Sequence, residues 1–184
     1  MNLLSDLLFR GIQKILSSSE TWYWRHALRR TCVKIGSDIT VHGKIFLWNP
    51  HMSLGSKINV YSGAVFWGPG EIIIGDEVEI GFNSIIYSSK QVIIGNKVSI
   101  AAHCYIIDSN HGIKRELPIQ DQVAVTKGPV IIEDDIWLGA GVKILSGVHI
   151  GKGAVIGAQS LVNNDIPAYA IAVGIPAKVV GYRK

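Results

Sequence analysis

The chain has 184 residues, 48% of them hydrophobic, and a formal net charge of +4. Its length favours one domain with an appendage, and no apolar run approaches the roughly 18 consecutive residues that a membrane-spanning helix requires. The charge is unevenly placed: up to Lys34 there are six basic residues against two acidic ones, and the rest is balanced at twelve of each. The bulk of the chain therefore lacks the electrostatic stripe of a nucleic-acid binder, whereas its basic end suits anionic lipid headgroups or a phosphorylated carrier. Cys32 and Cys104 form neither a disulfide framework nor a metal pair, as expected in a reducing, cytoplasmic setting. The first residues, Met1 to Asp6, lack a basic region leading into an unbroken apolar stretch, so no signal peptide is expected.

Residues 1–33 differ in kind from the rest. Leu4, Leu8, Ile12 and Leu16 lie four apart and predict one apolar stripe of a helix. Ser17-Ser18-Ser19 breaks it, and a second helix is predicted from Glu20 to about Cys32, carrying Trp22, Trp24 and several basic residues. Two readings stand for this segment. It caps the first coil of a solenoid, or it is a membrane-surface element in which Trp, Leu and Arg sit at an interface, peripheral at the inner face of the membrane.

From Ile35 onward a period of six governs the sequence. Ile132, Leu138, Ile144, Ile150, Ile156 and Val162 are each six apart, and Ile74-Gly75-Asp76-Glu77-Val78-Glu79 shows the unit: an aliphatic leader, a small or acidic second residue and a small or aliphatic fifth. This period suits neither a helix nor a hairpin sheet. It is the mark of a parallel β-helix, in which a short strand cannot bury its apolar face alone but stacked coils can. Ile35, Leu54, Ile74 and Ile94 lie 19, 20 and 20 apart, so a coil is a triangle of three hexapeptides with one or two extra residues at a corner. The extras fall near Asn49-Pro50, Trp67 to Gly70 and Ser88 to Gln91, where turn residues cluster. The predicted architecture is an all-β solenoid over residues 34–167, interrupted by a long loop at 108–129 and followed by a tail at 168–184. Loops of this length in a compact fold are usually functional or disordered.

Among residues suited to chemistry, His111 leads. It lies at the root of the loop, in Asp108-Ser109-Asn110-His111-Gly112, where a rigid coil holds an imidazole facing a groove. Neutral imidazole removes a proton from a hydroxyl near pH 7. Asp108 is placed either to fix its tautomer or to cap a turn. His103 and His149 occupy exterior corners, and the other histidines are weaker candidates. A zinc site of the kind found in some hexapeptide proteins needs a close histidine pair beyond the loop root. Nothing follows His111 until His149, so no metal is expected. There is no G-x-S-x-G nucleophile motif, and Cys104 falls at a buried place, which points to direct transfer from an activated donor.

An ordered set of motifs carries a resemblance over roughly residues 35–184. Asp108-Ser109-Asn110-His111-Gly112 is followed by Pro129 to Gly139 with Glu133-Asp134-Asp135-Ile136-Trp137, then by Gly147-Val148-His149-Ile150-Gly151, Asp165-Ile166-Pro167 and Gly174-Ile175-Pro176-Ala177-Lys178. The chain resembles the hexapeptide-repeat acyltransferases, in particular the galactoside, maltose and polysaccharide O-acetyltransferases. The resemblance implies a left-handed parallel β-helix, a homotrimer with active sites between subunits, and acetyl-CoA lying along the later coils. It makes His111 the general base. It places Trp137, Gly139, Ala140 and Ala158 against the pantetheine arm, with Lys178 and Arg183 near the phosphates. A backbone N–H near Gly139 and Ala140 would face the oxyanion. Asn163 and Asn164 stand on the cofactor side where relatives often carry Thr-Lys, and the sugar-binding asparagine of the galactoside enzymes falls at Gly81, with Asn83 two residues on. Trp67 and Tyr87, at earlier corners, are the expected sugar-stacking residues. The expected function is transfer of acetyl to a hydroxyl of a sugar or polysaccharide precursor. The alternatives are acetylation of a xenobiotic such as an antibiotic and, in another class, a non-catalytic scaffold.

Overall fold

The computed structural model describes residues 18–184. It is a parallel β-solenoid of three sheets, entered by one helix over 18–31. The helix predicted over 4–16 lies outside the described residues. The first sheet stacks Lys34–Ile35, Met52–Leu54, Glu71–Ile74, Gln91–Ile94, Val130–Ile132 and His149–Ile150. The second runs from Thr40–His42 through Asn59–Tyr61, Glu79–Ile80, Ser99–Ile100, Trp137–Leu138 and Val155–Ile156 to Ala170–Gly174 and Ala177–Tyr182. The third holds Phe46–Trp48, Val65–Trp67, Ile85–Tyr87, Tyr105–Ile107, Lys143–Ile144 and Leu161–Val162.

The hexapeptide leaders do what their period requires. Ile35 pairs with Leu54, Leu54 with Ile74, Ile74 with Ile94, Ile94 with Ile132 and Ile132 with Ile150, so the same place in each coil sits over the one below. The six leaders from Ile132 to Val162 are all completely buried. Polar third-place residues lie at a corner and bond from coil to coil: the Ser56 N–H donates to Asp76, the Asp76 N–H to Asn96 and the Asn96 N–H to Asp134, at 2.6, 2.8 and 2.7 Å. The fourth place turns the chain through the left-handed region, with φ of 58° at Glu77, 56° at Lys97 and 59° at Asp135.

The extra residues of the early coils form the corner between the third sheet and the first, and a buried polar column fills it. The Asn49 side-chain amide donates to the carbonyls of Gly68 and Gly70, both at 2.8 Å. The Ser88 hydroxyl donates to the Glu71 carbonyl at 2.9 Å. At Gly68 φ is +106° and a Cβ would collide with the Ser88 carbonyl, so only glycine fits.

The long loop leaves from this same corner and returns to it. Its insertion does not disturb the stack, because Val92 pairs with Val130 across it as Ile72 pairs with Val92 without it. The loop is folded upon itself. Asn110 and Val125 exchange two backbone hydrogen bonds of 2.8 Å, and the Gln122 side chain bonds the backbone of Lys114 and Leu117.

At the entry end, Leu28 is fully buried and Trp24 and Cys32 pack against the core, so the helix closes the first coil. Burial pushes the Cys32 thiol up to about 12. No helix among the described residues is long and apolar enough to cross a membrane. At the far end the second sheet continues into the segment read as a tail: Ala170–Gly174 adds in parallel to Val155–Ile156 and Ala177–Tyr182 returns antiparallel, with Ala170, Ala172 and Ala177 turned inward. Alanines break the aliphatic rhythm, which hid this last coil from the period of six.

Cutting one inward leader should show the coupling. Ile100→Ala, in the middle of the second sheet's inward column, is expected to lose about 2–5 kcal/mol of stability; denaturant unfolding followed by circular dichroism measures it.

Candidate active site

His111 is exposed and lines a cleft of about 290 Å³ with Trp67, Tyr87, Tyr105, Asn110 and Ala124. The third sheet supplies the wall: Trp67 pairs with Tyr87, and Tyr87 with Ile107, three residues before the loop begins its fold. The Trp67 and Tyr87 rings meet edge to face at 5.0 Å. The structure thus brings the expected base and both expected sugar-stacking aromatics together. Tyr105 and Asn110 were not anticipated. Tyr105 is flanked by the inward-facing Cys104 and Ile106, so strand alternation alone would have turned it outward.

Asp108 has a different task from orienting His111. Its carboxylate is fully buried and turned into the corner. One oxygen accepts the Ser89 N–H at 2.6 Å, and the other accepts the N–H groups of Lys90 and Gln91, both at 2.7 Å, with the Ser88 hydroxyl oxygen 3.3 Å away. The Ser146 hydroxyl donates to its backbone carbonyl at 2.6 Å. Asp108 is therefore the node of the polar column, and it fixes the point from which the loop carries His111 outward. Of the two readings that the residue allows, turn capping describes this geometry.

Trp137 is not in this cleft. It stands on the second sheet, 56% exposed, beside Tyr61, Glu79, Phe82, Ser99 and Ala102. Here Tyr61 stacks on His42 and tilts against Phe82 at 4.6 and 4.8 Å. The Glu79 carboxylate beside it holds the Tyr61 hydroxyl above its ordinary range, since it accepts the phenolic proton and opposes a second negative charge. Gly139, Ala140 and Ala158 follow at the next corner. A Cβ on Gly139 would lie 2.6 Å from the Ala158 nitrogen, and the Gln159 N–H bonds the Ala140 carbonyl. Ala140 and Ala158 are both exposed. Ala140 and Ala158 thus leave small exposed residues at the corner that follows Trp137. The Gly139 N–H is committed to the Ile156 carbonyl at 2.8 Å, which removes it as an oxyanion donor.

The remaining expected residues are spread wider. Arg183 bonds the Asp135 carboxylate at 2.9 Å and the Gly153 carbonyl at 3.0 Å, so it fastens the last strand to earlier corners. Lys178 is exposed on that strand. Asn163 and Asn164 are exposed beyond the third sheet, and the Asn164 amide donates to Asn163 at 2.8 Å. Asn83 is exposed at a corner with φ of 55°, outside both grooves. His149 faces Glu133 at 2.8 Å, and the Lys152 N–H together with this ring holds Glu133 below the usual carboxylate range. Cys104 is buried, its thiol pushed up by that burial. Among the described residues no group of three or more His, Cys, Asp or Glu side chains is placed to hold a metal ion.

Residues 129–164 match the model of the bacterial transferase hexapeptide (six repeats), and residues 71–107 match that of the hexapeptide repeat of succinyl-transferase. These two stretches carry the hexapeptide repeat of bacterial transferases. It is 48% identical over 82 residues to a protein of Mycobacterium tuberculosis named "Probable acetyltransferase", covering 44% of this chain and 27% of that one. It is 54% identical over 52 residues to the 2,3,4,5-tetrahydropyridine-2,6-dicarboxylate N-acetyltransferase of Staphylococcus aureus, covering 28% and 22%. The matches thus span about a quarter of the length of these curated relatives. In fold it is similar to AntD, an N-acyltransferase of Bacillus cereus solved with dTDP and 3-hydroxybutyryl-CoA, with a TM-score of 0.77 at 21% identity over 90% of both chains. It is also similar to a hexapeptide-repeat acetyltransferase of Vibrio cholerae complexed with acetyl-CoA, with a TM-score of 0.61 at 23% identity over 88% of this chain and 78% of that one.

Asp108→Ala would strand three N–H groups in the corner. It is expected to cost about 3 kcal/mol or more, read as a fall in the thermal midpoint, whereas His111→Ala should leave that midpoint unchanged.

Proposed function

We propose that the protein is an acetyl-CoA-dependent O-acetyltransferase acting on a hydroxyl of a sugar or glycan, with His111 as general base. The observation that carries this reading is the cleft itself: an exposed imidazole, held by a rigid corner, beside the rings of Trp67 and Tyr87. Aromatic faces hold the C–H side of a pyranose and leave its hydroxyls at the rim. His111 takes the proton of one such hydroxyl as its oxygen attacks the thioester carbonyl. The C–S bond breaks, an ester forms, and CoA leaves as the thiol with a proton returned from the imidazolium. The small-residue track beside Trp137 takes the pantetheine arm, with Lys178 at its basic end. AntD, solved with dTDP-4-amino-4,6-dideoxyglucose and CoA, supports a sugar acceptor and also favours a second reading in which a sugar amine is acylated.

His111 and Trp137 lie on different sides of one chain. A homotrimer brings the histidine of one subunit to the donor track of its neighbour, which makes the site a shared one. The loop supports this: Ile113 and Val123 are 86% and 84% exposed, apolar side chains suited to cover by a second copy. The entry helix, while capping the core with Leu28, turns Trp22, Tyr23, Arg25, Arg29 and Arg30 outward, and this side rests on an anionic membrane surface.

Two measurements test these statements. His111→Ala should lower acetyl transfer about 10²–10⁴-fold with acetyl-CoA affinity unchanged by calorimetry. Full activity in that variant removes the mechanism, and no acetyl-CoA binding by the wild type favours a scaffold. Arg29→Glu combined with Arg30→Glu should abolish co-sedimentation with phosphatidylglycerol vesicles and leave the fold intact; unchanged sedimentation removes the membrane contact.

A further inference from the structure

The cleft at His111 is one end of a longer feature. Trp48 pairs in register with Trp67, Trp67 with Tyr87 and Tyr87 with Ile107, so three aromatic residues follow one another in one outward column that ends where the loop leaves for His111. Trp48 and Trp67 are 62% and 50% exposed, although nothing in the core requires them to be large or aromatic. Phe46 stands beside Trp48 with ring centroids 5.5 Å apart, and the Lys44 ammonium lies over its face at 4.9 Å. Coils stack at the strand spacing of about 4.8 Å, so the column from Trp48 to Ile107 is roughly 14 Å long. A single sugar held at His111 does not reach Trp48, and an oligosaccharide lying along the coil axis does.

We propose that this column is an extended glycan-binding track, and that the acceptor is an oligosaccharide or polysaccharide segment bound with its reacting unit at His111 and its preceding units on Trp67 and Trp48. The assignment of the reacting unit rests on the acyltransferase reading above; the track itself does not. The chemistry fits the occupant. A pyranose presents one face of C–H groups whose partial positive charge complements the negative face of an aromatic ring. Such stacking tolerates different linkages and substituents, as it does for successive bases on aromatic platforms. A column of aromatic side chains one coil apart suits a repeating polymer, because each step along a straight, rigid wall offers a ring, with the Trp67 and Tyr87 planes turned 78° to each other. The track also explains why the aromatics sit on the third sheet. That is the sheet whose last strand before the loop, Tyr105–Ile107, leads directly to the base.

The test is binding of the full chain to two glycan series, glucose to maltohexaose and glucose to cellohexaose, measured by calorimetry without acetyl-CoA. Affinity should rise about tenfold with length in at least one series. Trp48→Ala should return the longer members to the affinity of the shorter ones, and Trp48→Phe should retain most of the gain. Trp48 is exposed, so neither variant threatens the fold. A profile flat with length in both series overturns the track. So does a change of oligomeric state in Trp48→Ala by sedimentation, which would assign the column to a contact between copies. Acetyl transfer to a short acceptor, followed separately by CoA release, distinguishes the two ideas. A flat profile with transfer intact sinks the track alone, and length-dependent binding that is lost in Trp48→Ala, without any transfer, sinks the acyltransferase reading alone.

Discussion

No coil of this chain buries its apolar residues by itself. A strand of two to four residues has only one or two inward side chains, and much of their cover comes from the equivalent residues one coil above and below. Everything else follows from that constraint. The strands must be parallel and in register, as Leu54, Ile74, Ile94, Ile132 and Ile150 are. The corners must turn in a fixed number of residues. Any insertion must leave and re-enter at one corner without moving the coils on either side of it.

The buried polar column at the wide corner is how this chain meets the last requirement. A corner with extra residues exposes backbone N–H and C=O groups to the interior, and each needs a partner. Asn49 and Ser88 satisfy those of the early coils, and Asp108 takes up three N–H groups at once. The long loop begins at that residue. Asp108 and His111 are thus near in sequence but apart in place: the carboxylate points in and holds the corner, while His111 lies outside, where it meets the cleft. A histidine carried by a loop alone would be poorly positioned. One carried three residues beyond a fully bonded node is held by the whole stack.

The outer surface of the solenoid is organised by the same register as its core. Residues on either side of an inward leader face outward and form columns of their own. One such column is aromatic, from Trp48 to Tyr87, and another runs through Ser99, Trp137 and Val155. The Trp48, Trp67, Tyr87 spacing of 19 and 20 equals that of the core leaders, so it was present in the sequence. It was read only as separate corner aromatics because outward residues carry no burial pattern to make the repeat evident.

What the sequence determined by itself was the architecture and the place of His111 at the root of the loop. A period of six admits one way of burying aliphatic residues, and a loop breaking that period marks the place where side chains are free of the core's demands. The tertiary structure decided what neighbours each side chain acquires. It turned Asp108 inward, because only folding reveals three unpaired N–H groups in the corner beneath it. It tied Arg183 to Asp135, 48 residues away, and spent the Gly139 N–H on the next coil. It made a last coil from the alanine-rich segment after Pro167, where methyl groups suffice because the solenoid ends there in a hairpin. It also set His111 and Trp137 on different sides of the chain. Sequence order cannot reveal that separation, since a turn of the coil returns distant residues to one column and sends near ones to different faces.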